Sequence, residues 1–209
     1  MANSQIEWMV LGMVSTNTYL VKNQDTGELL IIDPADAAGR IQEKIGQMEG
    51  RPAAILLTHG HFDHMLAADA LRSAYDIPVY ACIQEKNLLK NARYNLSASW
   101  ASPHVMEADR YLADGETFRE AGFEIRLLHT PGHTEGSCCY YLPEEAVLFS
   151  GDTLFAGSVG RTDFPTSSGA DMRKSLQRLL SELPADTRVC PGHGEETTIA
   201  YEKRYNPFA

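Results

Sequence analysis

"AAILLTHGHFDHMLAAD", residues 53–69, passes from a purely apolar run straight into three histidines and an aspartate within six positions. His59, His61 and His64 are three of only seven histidines in the chain, so their crowding is not an effect of composition. Taken alone, the stretch has two readings. His59 and His61 stand at i and i+2, on one side of extended chain. Asp63 falls near the N-cap of a helix that the spacing predicts from Met65 to Tyr75, where a carboxylate satisfies free backbone N–H groups. That is a solvated polar turn. The second reading is a metal cage, since imidazole and carboxylate are the common ligands of zinc and other first-row ions.

The rest of the chain separates the two. Short apolar or alternating runs predict strands at Thr18–Lys22, in "ELLIID" ending at Asp33, "AAILLT" ending at Thr58, "PVYAC" ending at Cys82, "FEIRLL" ending at Leu128, "CCYYL" ending at Leu142, "AVLFS" ending at Ser150 and "TRVC" ending at Cys190. Helical spacing covers Ala35–Met48, Met65–Tyr75, Gln84–Lys90, Asp171–Leu183 and Glu195–Tyr205. This pattern is a mixed α/β layered domain with helices on the sheet faces. Asn91–Val105 fits neither period and reads as a lid or binding loop.

Four of the strands run into His or Asp: "AAILLT" into the cluster at 59–64, "FEIRLLHTPG" into His133, "AVLFSG" into Asp152 and "TRVCPG" into His193. Brought to one sheet edge, these are five histidines and two aspartates. Packing so many into a cleft without a cation carries a desolvation cost. Seven donors exceed what one tetrahedral ion takes and suit two ions with a carboxylate between them. His129 in "LLHTPGH" is expected to pack behind the site, and His104 to be a surface polar residue.

The 209 residues bury a core without staples. A net charge of −10 disfavours nucleic acid and anionic membrane surfaces as partners. "MANSQIEWMVLG" lacks the basic flank and apolar core of a signal peptide, so a cytoplasmic protein is expected. Cys82, Cys138, Cys139 and Cys190 include no CxxC pair and read as buried free thiols, with Cys138 and Cys139 on opposite faces of one strand.

"THGHFDH" (58–64) resembles the T-H-x-H-x-D-H signature of the metallo-β-lactamase fold hydrolases, and "TPGHT" (130–134), "SGDTLF" (150–155) and "PGH" (191–193) resemble that superfamily's later motifs, in order. "LLIIDP", ending at Pro34, looks like its early strand and turn. The resemblance implies an αββα sandwich with the metal site at one edge of two sheets, in a single domain over 1–209. It implies that His59, His61 and His133 hold one ion, that Asp63, His64 and His193 hold a second, and that Asp152 bridges them. The ions are divalent, zinc by preference, with iron and manganese also compatible. On that resemblance, a hydroxide shared between them would attack an activated carbonyl, with Asp63 orienting it or taking its proton. Within the superfamily, "GDTLFAGSVGRTDFP" (151–165) and "YNPF" (205–208) look like the short glyoxalase-II-like branch, which implies hydrolysis of thioesters such as S-lactoylglutathione. That enzyme's C-terminal helical domain, which grips glutathione, is expected to be missing. Arg161 then has two readings, a clamp for a substrate carboxylate or a salt bridge within its own loop.

The rival on the same fold is a mononuclear iron persulfide dioxygenase, which shares "GRTDF"-like residues. A β-lactamase proper is disfavoured without a secretion signal, and a non-catalytic binding module is disfavoured because all seven donors are present.

Overall fold

The computed structural model describes residues 3–209. Six strands form the first sheet in sequence order: β1 (Ser4–Leu11), β2 (Thr16–Asn23), β3 (Glu28–Ile32), β4 (Arg51–Leu56), β5 (Val79–Cys82) and β6 (Arg110–Leu112). It is antiparallel from β1 to β3 and parallel from β3 to β6. The second sheet is built from β7 (Thr117–Glu120), β8 (Phe123–His129), β9 (Cys138–Leu142), β10 (Val147–Gly151), β13 (Arg188–Pro191) and β14 (Thr197–Thr198). Two short strands, β11 (Leu154–Phe155) and β12 (Ser158–Val159), pair as a separate hairpin.

The faces pack as four layers. Leu30, Ile32 and Leu56 of the first sheet meet Phe123, Ile125, Tyr140 and Phe149 of the second in a shared core. Leu29 and Ile31 point the other way, onto Ile41 and Ile45 of α1 (Ala38–Gln47) and Leu71 of α3 (Ala68–Tyr75). β3 therefore reads as a continuous apolar run because both of its faces are covered. On the far side, Leu176, Leu179 and Leu180 of α6 (Gly169–Glu182) pack on Leu128, Leu148 and Val189, each such burial contributing about 1.5–3 kcal/mol. The αββα sandwich expected from the resemblance is the observed fold. Among the described residues, no helix is long and apolar enough to cross a membrane.

Cys138 faces the shared core and Cys139 the α6 side, and all four cysteines are buried and free, as expected.

Several expectations are corrected. The helix expected at Met65–Tyr75 begins earlier and breaks into α2 (Phe62–Met65) and α3. His61 takes the N-cap place of α2, and Asp63 lies in its first turn, so Asp63 is not the cap. The helix expected from Glu195 starts only at Ile199, as α7 (Ile199–Tyr205). Thr198 caps it by accepting the Tyr201 N–H, and Thr197–Thr198 pair with β13 first. Gln84–Lys90 is a 3-10 turn at Ile83–Glu85 followed by α4 (Lys86–Leu89). The irregular 91–105 stretch contains one helical turn, α5 (Ser97–Trp100).

Candidate metal centre

The strands deliver the site at one edge of the sandwich. β3 runs into Asp33, β4 through Thr58 into His59, β10 into Asp152 and β13 into His193, while His133 lies in the turn between β8 and β9. The Cys138 N–H donates to the Thr58 carbonyl at 2.9 Å, which stitches the two sheets together beside the cluster.

All seven donors come together. Ligand atoms of His59, His61 and His133 lie within 4.8 Å of one another, as do those of Asp63, His64 and His193 and those of His59, His64 and Asp152. Asp152 sits between the groups: Oδ2 is 3.4 Å from His133 Nε2 and 3.5 Å from His193 Nε2, and Oδ1 is 3.4 Å from His64 Nε2. His61 Nδ1 and His133 Nε2 face each other at 2.9 Å.

The backs of three of the rings are fixed. His133 Nδ1–H donates to the Arg161 carbonyl at 2.8 Å, and His64 Nδ1–H to Asp33 Oδ2 at 2.9 Å. Thr58 Oγ1 donates to Asp33 Oδ2, so it accepts from His59 Nδ1–H at 3.2 Å. Each contact turns the opposite Nε2 lone pair toward the cluster, as metal-binding histidines require. Asp63 Oδ2 accepts the Thr16 hydroxyl at 2.7 Å.

The donor set fits a divalent cation. His59, His61 and His64 each keep a buried Nε2 without a hydrogen-bond partner, as does Asp152 Oδ1, and buried polar atoms normally have one. Burial, then the neighbouring imidazoles, hold His59 and His61 well below the usual histidine range, in the neutral form that binds a metal. Burial opposes ionisation of Asp63, but His64, His193 and Thr16 outweigh it and hold its carboxyl well below the usual carboxylate range. Burial likewise opposes charge on His64, yet Asp63, Asp152 and Asp33 raise it to about 10. The surrounding carboxylates thus call for positive charge in their midst.

The cluster opens into a cavity of about 410 Å³, walled by Val14, Leu96, Trp100, Phe155, Val159 and Phe164. Phe164 lies edge-on to His61 and Phe155 edge-on to His193. Arg161 is at the rim, bidentate to Asp163 at 2.7 Å and stacked 4.1 Å over the Phe164 ring. His129 and His104 stand outside the cluster. His129 Nε2–H donates to the Glu135 carbonyl, and His104 lies 3.6 Å from Asp69.

Sequence reasoning missed Asp33, Thr16 and Trp100. Asp33 carried the same signal as Asp152, an acid ending an apolar strand.

Gly192 precedes His193, and a Cβ there would meet Asp152 Oδ1 at 2.3 Å and His64 Cε1 at 2.7 Å. Gly192→Ala is therefore expected to push Asp152 out of place and weaken metal binding about 10–100-fold with the fold intact. Isothermal titration with zinc, alongside a thermal melt of the metal-free protein, checks this.

A sandwich that gathers these donors at one edge, with orphaned buried polar atoms among them, defines a candidate metal centre. The chain belongs to the metallo-beta-lactamase superfamily, whose sequence profile matches residues 11–193 and so includes all seven donors. Among relatives, the probable metallo-hydrolase YqgX of Bacillus subtilis is 38% identical over 96% of this chain and 95% of its own. The hydroxyacylglutathione hydrolase GloC of Haemophilus influenzae is 34% identical over 88% of each chain. Among solved structures, the BLEG-1 B3 metallo-beta-lactamase superposes with a TM-score of 0.92 at 38% identity, covering 98% of this chain and 99% of that one. TTHA1623 in a di-iron-bound form gives 0.85 at 38%, covering 97% and 100%. ETHE1 from Myxococcus xanthus gives 0.77 at 30%, covering 97% and 83%.

Proposed function

We propose that this protein hydrolyses thioesters of the S-2-hydroxyacylglutathione type, such as S-lactoylglutathione, with two divalent ions, zinc by preference. The observation that carries the reading is the convergence of seven His and Asp donors on a cavity with apolar and aromatic walls and a guanidinium at its rim. His59, His61 and His133 would hold one ion, Asp63, His64 and His193 the other, with Asp152 between them. When bound, such ions lower the pKa of a water and polarise a carbonyl oxygen. Asp63, ionised and lining the cavity, is placed to orient the attacking water. A C–O bond forms at the acyl carbon, the C–S bond breaks, and the thiolate leaves and is protonated. The aromatic walls keep bulk water away from the acyl group. The likeness to GloC supports the thioester class.

Arg161 is assigned to a substrate carboxylate, which would displace Asp163 from the guanidinium. Arg161→Ala is expected to raise KM for S-lactoylglutathione about tenfold with kcat little changed, the size of one charged hydrogen bond. An unchanged KM would reduce Arg161 to a partner for Asp163.

The test is metal stoichiometry on freshly purified protein, paired with a substrate panel. Two ions per chain and turnover of S-lactoylglutathione support the reading. Turnover of a β-lactam but no thioester replaces it. The likeness to ETHE1 favours a second reading, an iron persulfide dioxygenase: a single iron with oxygen consumption selects that one.

A further inference from the structure

Two buried glutamates lie outside the seven-donor set. Glu202 accepts from Gly157 N–H, Thr197 and Asn206, and so ties α7 to the β11–β12 hairpin. Glu85, in the turn after β5, does something different. Its Oε1 accepts the Gly60 N–H at 2.8 Å. The Thr134 hydroxyl donates to both of its oxygens, at 3.0 and 3.1 Å. Thr134 is locked in turn by Ser137, whose hydroxyl donates to Thr134 Oγ1 at 2.7 Å and accepts the Thr134 N–H at 3.0 Å.

Gly60 lies between His59 and His61, and Thr134 and Gly136 follow His133. One fully buried carboxylate therefore clamps both turns that present the His59–His61–His133 triad. The clamp is closely fitted: a Cβ on Gly136 would sit 2.2 Å from Glu85 Oε2, and one on Gly60 would sit 2.8 Å from Leu89 Cδ2. The three donors of the other half-site are secured elsewhere: Asp63 by Thr16, His64 by Asp33, and His193 by the Ser15 carbonyl.

We propose that Glu85 is a positioning residue that sets the metal affinity of the His59–His61–His133 half-site alone, leaving the Asp63–His64–His193 half-site to Thr16 and Asp33. It touches neither ion nor substrate. It acts by holding two turns at one separation, and the inference rests on the two-ion reading above. Burial pushes its carboxyl up to about 7, and Glu85→Gln, matched in size, keeps one acceptor oxygen for the Gly60 N–H.

The experiment is a cobalt(II) titration of the metal-free full chain, followed by ligand-field absorption and elemental analysis, with a circular-dichroism melt of each metal-free variant. Wild type is expected to fill in two steps. Glu85→Ala should weaken one step about 10–100-fold, the scale of outer-shell effects, and leave the other within about twofold. Glu85→Gln should lose less, because its amide oxygen still accepts the Gly60 N–H, and it carries the test if the alanine variant does not fold. Thr16→Ala should weaken the opposite step. In a His61→Ala background, Glu85→Ala should add no further loss, since that half-site is already broken. Equal weakening of both steps, or a lowered melting temperature with both affinities intact, overturns the proposal. If wild type takes up only one ion per chain by elemental analysis, the two-ion reading fails. Glu85 is then judged by whether Glu85→Ala weakens that uptake without adding to His61→Ala: it stands if so and falls otherwise.

Discussion

Asp152→Ala is expected to cost the protein its metal and more than about 100-fold in kcat/KM on any substrate it turns over. Asp152 is the one carboxylate within 3.5 Å of His64, His133 and His193 together. Without it, His133 loses its carboxylate neighbour and no shared ligand joins the two donor sets. Outer-shell partners of a metal already cost 10–100-fold when removed, so a group lying between both donor sets sets a higher floor. His59→Ala should behave similarly, because His59 belongs to two of the three donor groups. Elemental analysis and steady-state kinetics on the two variants check the expectation. Variants that keep two ions and activity within tenfold of wild type would show that neither residue binds metal. If both variants lose metal while even loaded wild type cleaves no thioester, the metal centre stands and the substrate assignment fails.

The site was largely legible because its signal is local. An apolar strand needs only a few residues to declare itself, and a His or Asp at its end is visible without knowing where the strand goes. Asp33 ended such a strand too, with the same local signal as Asp152. Other elements hide for physical reasons. β1 presents Trp8 and Val10 to solvent, so its alternation does not separate an inside from an outside. β6 has three residues and β14 two, too few for any period. The Met65–Tyr75 pattern correctly marked the buried face at Ala68 and Leu71, but periodicity is blind to the break at Leu66–Ala67. Glu85 and Trp100 act purely through tertiary contact. The helical spacing of Gln84–Lys90 says nothing of the Glu85 side chain until Gly60 and Thr134 are brought onto its carboxylate.

Asp33 yields the sharpest separation of stability from metal binding. Its buried carboxylate accepts the Thr58 N–H at 2.8 Å, the Thr58 hydroxyl at 2.6 Å and His64 Nδ1–H at 2.9 Å. Its backbone stands at φ 47°, a left-handed conformation that Asp and Asn tolerate better than Ala. Asp33→Ala leaves three buried donors without an acceptor and strains the turn, so a loss of about 3–5 kcal/mol is expected. For a chain of this length that lowers the melting temperature by roughly 10 °C. Asp33→Asn should part the two effects. Its amide oxygen still accepts the Thr58 N–H, and the Thr58 hydroxyl rotates to accept from the new NH₂, so stability falls by less than about 2 kcal/mol. The same NH₂ now faces His64 Nδ1, which must accept rather than donate. The ring's proton moves to Nε2, the atom 3.4 Å from both Asp63 and Asp152, and the lone pair that would meet the ion is gone. Asp33→Asn should therefore melt near wild type and yet bind its second cobalt 10–100-fold more weakly. Melts with and without metal, read beside the cobalt titration, test this directly. A variant with unchanged affinity for both ions would show that Asp33 supports the fold and does not set the tautomer of His64.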